Sequence, residues 1–471
     1  MPRFANSALR LLKRVLGDPA KGKAAFAGSF SVLAGNTAVA MLEAGICEAA
    51  GLGATHPADA AVLAWRLEQD RQSHNPERVP LSGLVAESPR GALAAAMGLA
   101  MSGTRAPAFF SRTDLAAAQD LLTTAAGRHL PLVLHAGNRA LATNAPALGS
   151  GHELVHLAAE SGVFVLVPAN VQEAVDFAVI ARQVAEQALI PGLVMQDGEQ
   201  TALALQDVRM PPAALLKQFL GSAGEQIDSP TQAQRLLFGD TRRRVPRQVN
   251  VDRPVMFGAL LPTGTWGLAQ TASAVYFASD LGERLESAFR DFARYTGRQH
   301  RPVTAHNVDG AKLILVVQGA AIETAEAVAD HLHDLRVGVI GIRCLRPFPA
   351  AEIVDLLGQG ARVCVLERMD SPLAGDPPLM RELRSALECA LESDRFGHDS
   401  RSGRGSLNQR QQPGFLSVIY GMGGFPLRSA DLIALCRQAE TLKRTKVYLG
   451  ITFTEAFSSY PKRQVLLDRL R

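Results

Sequence analysis

Short apolar or β-branched runs alternate along the chain with longer stretches whose apolar residues recur every three or four positions, the pattern of parallel strands covered by helices. In the first half the strand-like runs are Leu132-Val133-Leu134, Val163 to Val167 and Leu193-Val194-Met195. Between the last two, Val171, Ala174, Val175, Ala178, Ala181, Val184 and Ala185 mark one face of a helix over Val171 to Ala188. Asn170 occupies its N-cap position and Glu173 follows three residues later, a capping box with Asn in place of Ser or Thr. Upstream, Leu81 to Ala86 reads as a buried strand, after which Ser88 caps and Pro89 opens an Ala-rich helix. A further helix begins near Asn36 and is expected to end in the loop Gly51 to Pro57.

From Pro211 to Val308 the pattern weakens, because Pro211-Pro212, an Arg-rich stretch, Pro254 and Pro262 interrupt any long element. Regularity returns in Lys312 to Val317, Val337 to Ile342, Arg362 to Leu366, Phe415 to Ile419 and Lys446 to Ile451, with helical stretches after the first four. The expected organisation is an α/β chain with two open, mainly parallel sheets covered by helices. Residues 1–24 form a basic arm, 25–210 a first α/β domain, 211–308 an extended connection with short helices, and 309–471 a second, smaller α/β domain. Residues 394–413, rich in Ser, Gly, Arg and Gln, read as a flexible surface insertion.

Composition narrows the class. With 47% apolar and 20% charged residues over 471 positions, the chain is far from the disordered class and long enough to bury more than one core. The net charge of +4 is spread over Lys and Arg interleaved with Asp and Glu, so no basic stripe for nucleic acid emerges. Basic clusters at Arg10, Lys13, Arg14, Lys21 and Lys23, and at Arg242, Arg243, Arg244 and Arg247, read as solvated faces or linkers. Cys47, Cys344, Cys364, Cys389 and Cys436 stand far apart with no Cys-x-x-Cys pair, which argues against iron-sulfur or structural zinc sites here and fits a reducing cytoplasm. Ser7 to Leu16 has the spacing of a short basic amphipathic helix without the apolar core of a signal peptide. No run reaches the roughly 18 uncharged apolar residues of a membrane span.

Chemistry gathers where strands end. Glu87 falls at a strand-to-helix junction, where burial raises a carboxyl pKa and a helix N-terminus lowers it, so it is either a dipole-stabilising carboxylate or a functional one. Arg139 follows the strand around Leu132 to His135, at the carboxyl edge where open α/β sheets bind ligands; its fork of donors suits a carboxylate or phosphate, or a surface salt bridge. Gly149 to His152 reads as a flexible polar turn lining the same cleft. His56, alone in its loop, is either structural or functional. No Gly-Asp-Gly with a later Asn pair, no P-loop and no G-x-G-x-x-G after a strand is present; Tyr420-Gly421-Met422-Gly423-Gly424 is Gly-rich but lacks that spacing.

Seven segments, in order, resemble the pyruvate (2-oxoacid):ferredoxin/flavodoxin oxidoreductase family, as its alpha subunit or N-terminal part. They are Gly35 to Ala40, Asn138 to Thr143, Asn170 to Asp176, Asp197-Gly198, Ile342 to Phe348, Val365 to Arg368 and Tyr420 to Gly423. The resemblance implies a thiamine-diphosphate pyrimidine-binding domain followed by a transketolase C-terminal-like domain. It implies that Glu87 hydrogen-bonds the aminopyrimidine of thiamine diphosphate, that Arg139 binds the 2-oxoacid carboxylate, and that Thr55 and His56 belong to the cofactor and substrate loop. His56 stands where the family has a substrate-contacting Thr, Pro89 where a Gly is common, and Glu199-Gln200-Thr201 replaces an aromatic and Thr-His continuation. The implied reaction is oxidative decarboxylation of a 2-oxoacid to an acyl-coenzyme A. The diphosphate-binding subunit with its Mg2+, a gamma-type subunit and an iron-sulfur subunit would be partner chains, and ferredoxin or flavodoxin the acceptor. A catalytically silent paralog serving as a docking subunit is the alternative, and another thiamine enzyme of the transketolase-like group a third.

Overall fold

The computed structural model describes residues 26, 28–53, 60–73, 80–141, 149–250, 252, 261–357, 362–396 and 413–450. In chain order its strands are β1 (Ser29–Ala34), β2 (Ala49–Gly53), β3 (Ser82–Ala86), β4 (Pro107–Arg112), β5 (Val133–Asn138), β6 (Phe164–Leu166), β7 (Gly192–Asp197), β8 (Leu205–Met210), β9 (Gln226–Asp228), β10 (Thr241–Arg243), β11 (Val303–His306), β12 (Leu313–Gln318), β13 (Val337–Ile342), β14 (Cys344–Arg346), β15 (Arg362–Glu367), β16 (Gly414–Ile419) and β17 (Lys446–Tyr448). The helices are α1 (Gly35–Ile46), α2 (Ala60–Ser73), α3 (Pro89–Met101), α4 (Asp114–Ala117), α5 (Gln119–Gly127), α6 (Glu153–Ala159), α7 (Val171–Ala188), α8 (Ala213–Leu220), α9 (Gln232–Phe238), α10 (Thr263–Ser273), α11 (Leu281–Thr296), α12 (Ala321–His331), α13 (Ala350–Leu357), α14 (Pro378–Phe396) and α15 (Ser429–Gln438). Gly198–Ala202 forms a π-helical turn. No described helix is long and apolar enough to cross a membrane.

Two open sheets carry the fold. The larger has the order β14-β6-β7-β5-β4-β2-β3; β2 to β7 run parallel, and β14 lies antiparallel on β6. The other has the order β11-β13-β12-β15-β16-β17, with β12, β15, β16 and β17 parallel. The chain divides into two compact units. The first comprises residues 1–139, 153–304 and 342–349; the second comprises residues 140–152, 305–341 and 350–471.

The first unit shows why the apolar spacing works and where it misled. α7 is buried along almost its whole length, because it has the sheet on one side and α11 on another. Phe177 of α7 meets Phe289 of α11 edge-on at 5.6 Å, and Leu281, Leu285, Ala288 and Phe292 complete that contact. Thus the stretch 211–308, expected as a connection, contains a 16-residue amphipathic helix that shares the first unit's core. The helix starting at Gly35 stops at Ile46, where the Cys47 N–H donates to Glu43 O at 2.8 Å; Gly51 to Gly53 belong to β2 rather than to a loop. β3 is an edge strand rather than a buried one, with Leu84 and Val85 47% and 55% exposed.

Arg242 is no solvated residue either. Its buried guanidinium donates to Gln234 Oε1 at 2.7 Å, to Glu186 O at 2.6 Å and to the carbonyls of Arg243 and Arg244. Residues 1–24, with their basic cluster and expected helix, lie outside the described residues, as does most of the 394–413 insertion; α14 runs on to Phe396.

Candidate active site

In the first unit, the carboxyl ends of β2, β3, β4, β5 and β7 form one edge of the larger sheet. Glu87 lies there, exposed, in the turn after β3. The turn is fixed by Ser88, whose Oγ accepts the Gly91 N–H at 3.1 Å, and by Pro89 as the first residue of α3. Arg139 directly follows β5, whose six residues are all buried, and is itself half-buried. β2 and β4 lie between β3 and β5, so the two strand ends stand about 14 Å apart at ~4.8 Å per strand. Thr55 and His56, which follow β2 in sequence, lie outside the described residues.

Beneath this edge the sheet is held by a closed ionic cluster. Glu43 of α1 is fully buried; its Oε1 lies 2.8 Å from His135 Nε2 of β5, and its Oε2 accepts from Arg182 Nη2 of α7 at 2.8 Å and from the Cys47 thiol at 3.0 Å. Burial pushes the Glu43 carboxyl up, but the Arg182 charge and the His135 and Cys47 hydrogen bonds outweigh it and hold the group at about 2. Arg105 likewise pairs with buried Glu186 at 2.6 Å and donates to the Leu220 and Gly221 carbonyls. These charges tie α1, β5, α7 and α8 together and are turned away from solvent.

Higher on the same side, at the start of α1, polar side chains gather, of which the sequence pattern had not singled out Gln196. A Cβ at Gly35 would overlap the Gln196 amide, and a Cβ at Gly137 would stand 3.1 Å from Asn36 Nδ2. Gln196 of β7 and Thr201 of the π-helical turn are fully buried, and Asn36 is 6% exposed. The sign of Gln196 in the sequence is a Gln, followed by Asp197, that closes an apolar run in β7.

In the second unit, Gly149 to His152 are buried rather than forming a flexible turn. The His152 N–H donates to Arg368 O at 3.3 Å, and the Arg368 N–H donates to His152 Nδ1 at 3.1 Å, which puts the ring proton on Nε2. A Cβ at Gly149 would overlap Gly424, so two glycine backbones cross at the end of β16. Glu367, at the end of β15, accepts the Leu379 N–H at 2.7 Å and the Met380 N–H at 3.2 Å and so caps α14. Burial nevertheless raises its carboxyl to about 7. All five cysteines are free thiols, and all but Cys389 are buried.

Comparison with known proteins adds the following. Residues 75–261 match the family described as pyruvate flavodoxin/ferredoxin oxidoreductase, thiamine diP-bdg, and residues 311–400 match pyruvate:ferredoxin oxidoreductase core domain II. The chain is 28% identical over 310 residues to a probable pyruvate-flavodoxin oxidoreductase of Escherichia coli (strain K12), covering 65% of this chain and 25% of that protein. It is 25% identical over 373 residues to the pyruvate synthase subunit PorA of Methanothermobacter thermautotrophicus, covering 78% of this chain and 84% of that one. Among solved structures it resembles a 2-oxoglutarate:ferredoxin oxidoreductase from Magnetococcus marinus with a TM-score of 0.57 and 14% identity, covering 88% of this chain and 65% of that chain, a likeness of fold. The chain spans about a quarter of the length of the first curated relatives it matches, each a pyruvate-flavodoxin oxidoreductase.

Proposed function

We propose that this chain, which belongs to the pyruvate:ferredoxin/flavodoxin oxidoreductase family as its alpha-subunit or N-terminal part, works as the alpha-type component of a thiamine-diphosphate-dependent 2-oxoacid oxidoreductase. The observation that carries the reading is that Glu87 and Arg139 stand on the same carboxyl edge of one parallel sheet, inside the segment that matches the thiamine-binding family model. The fit to the cofactor rests on this donor set: an exposed carboxylate and a guanidinium with two strands between them leave room for a ring-sized ligand. Thiamine diphosphate, when bound, supplies the carbanion chemistry of 2-oxoacid decarboxylation.

The rest of the work belongs to the chain. Glu87 holds a proton against the aminopyrimidine ring nitrogen, and its exposure on this chain leaves it open to a ligand. Arg139 takes the 2-oxoacid carboxylate in its planar fork and thereby orients the oxo carbon. The buried strand β5 and the Glu43 cluster beneath it fix the root of Arg139, so the fork is aimed by a rigid element. Exposed Leu84 and Val85 next to Glu87 give a diphosphate-binding partner an apolar rim to close on. Gamma-type and iron-sulfur partner chains, ferredoxin or flavodoxin, and coenzyme A complete the reading, with Mg2+ and the clusters carried by partners.

The test is anaerobic co-purification from the native host, identification of the partner chains, and dye-linked 2-oxoacid oxidation by the complex. Glu87→Ala is expected to lower kcat by roughly 100-fold or more, with the complex intact. Full turnover in that variant removes Glu87 from the chemistry, and a complex that turns over no 2-oxoacid supports the docking-subunit alternative.

A further inference from the structure

At the end of the larger sheet opposite Glu87 and Arg139, the first unit has a cleft of about 550 Å3 that the chemistry above does not use. Its volume falls in the range of small-molecule sites, roughly 300–1,000 Å3. Of its lining residues, Glu48 directly precedes β2 and Arg105 stands two residues before β4, which places the cleft at the amino edge. The five residues of β2, about 17 Å, separate it from the carboxyl edge.

The charges on the lining are of two kinds. Arg105 is compensated by Glu186 at 2.6 Å, and Glu225 by Arg244 at 3.0 Å. Glu48 and Lys217, in contrast, are exposed and make no ion pair or side-chain hydrogen bond among the described residues, either with each other or with a third group. Around Glu48 the backbone adds to the negative field. The last four carbonyls of α1 have no partner within the helix; those of Glu43 and Ala44 accept the Cys47 N–H and Gln72 Nε2, and the remaining two residues, Gly45 and Ile46, line the cleft. That helix end and Glu48 together favour a cation. Lys217, in the last turn of α8, is the one uncompensated positive side chain on the lining and suits an anion. Half-buried Ile46 and Leu216 and buried Leu220 supply apolar surface to the same cleft. A ligand of one charge would leave either Glu48 or Lys217 unmatched, whereas one carrying both charges answers each. We propose that this cleft binds a small zwitterion, its ammonium against Glu48 and the α1 carbonyl end, its carboxylate on Lys217, and its short apolar body on Ile46 and Leu216. An α-amino acid with an aliphatic side chain and an ω-amino acid are two sources of that chemistry.

Calorimetric titration of the full chain with leucine, and separately with ε-aminocaproate, reads the cleft without turnover, so its result does not depend on whether the assembled complex oxidises 2-oxoacids. Low ionic strength is used, because exposed charges are screened by salt. Isocaproate and isopentylamine, which are leucine without its ammonium and without its carboxylate, serve as the singly charged counterparts. Saturable binding of a zwitterion is expected, weakened about tenfold in both Glu48→Gln and Lys217→Met, the loss of one charge-assisted hydrogen bond in each. Both side chains are exposed, so both variants are expected to keep the fold by circular dichroism. Binding of leucine alone assigns the cleft to α-amino acids, and binding of ε-aminocaproate alone assigns it to a ligand with widely spaced charges. Binding of neither zwitterion, equally tight binding of a singly charged counterpart, or binding that either variant leaves unchanged overturns the proposal.

Discussion

Glu43 and Glu367 are both fully buried, one in each compact unit; burial pushes both carboxyls up, and only at Glu43 do the neighbouring charge and hydrogen bonds outweigh it. Glu43 sits at about 2 when folded against 4.5 otherwise, so its contribution to stability is present above pH 4.5 and is lost as pH falls through 2. Glu367 sits at about 7, so the folded state binds its proton more tightly than the unfolded chain does. Its contribution is fully present below pH 4.5 and is lost as pH rises through 7, a swing of about 3 kcal/mol. Tm measured against pH is expected to fall between pH 5 and 8, and Glu367→Gln is expected to flatten that fall. An unchanged slope in the variant would assign the fall to other groups. Glu43→Gln removes the counter-charge of fully buried Arg182 and is expected to cost about 3–5 kcal/mol in urea denaturation.

The candidate site was legible at this scale only where local syntax marked it. Glu87 and Arg139 stood out because a strand followed by a cap or a polar turn announces a sheet's carboxyl edge, and the structure places both there. Gln196 did not, since a polar pair closing a short buried strand has no period to betray it. Arg242 looked solvated within its basic run because the carbonyls and the amide that bury it come from α7 and α9.

Among the elements, α7 was the most readable, and its start shows how the pattern is enforced. Asn170 Oδ1 accepts the Glu173 N–H at 2.8 Å, and Glu173 Oε2 reaches back to the Ala169 N–H at 2.8 Å, one residue beyond the usual partner in a capping box. The other Glu173 oxygen accepts from Arg343 Nε at 2.9 Å. Asn170→Ala is expected to lower stability by about 1 kcal/mol, measured by chemical denaturation, with the helix boundary retained because Glu173 still holds Ala169. A loss well above 2 kcal/mol would mean that the cap also supports the Arg343 pairing. α11 was hidden by the prolines around it, although its apolar residues keep a helical spacing. β3 was misjudged for a different reason: whether a strand is central or at an edge depends on strand order, which its own residues do not encode.

For the whole molecule, the two parallel sheets followed from the alternation of runs, but the membership of each segment did not. Gly149 to His152 sit between β5 and α6 in sequence yet pack with Arg368, Tyr420 and Gly424 in the second unit. Cys344–Arg346, deep in the second half, forms the edge strand on β6 in the first. Neither unit is therefore a continuous stretch of chain. A fragment of residues 305–471 lacks the segment that clasps Arg368, and a fragment of residues 1–304 lacks β14. Each is expected to resist proteolysis less well than the intact chain, and equal resistance would show these segments to be dispensable.

The interlaced path also bears on how such a chain can change over time. A single genetic crossover exchanges everything on one side of a point, and here any such point leaves one unit assembled from two parents. Replacing the second unit by that of a distant homologue takes joints near Arg139, His152, Thr304, Gly341 and Pro349 together. Divergence in this protein is thereby channelled into point substitution and surface insertion, because a single exchange of a module leaves at least one unit built from mismatched parts.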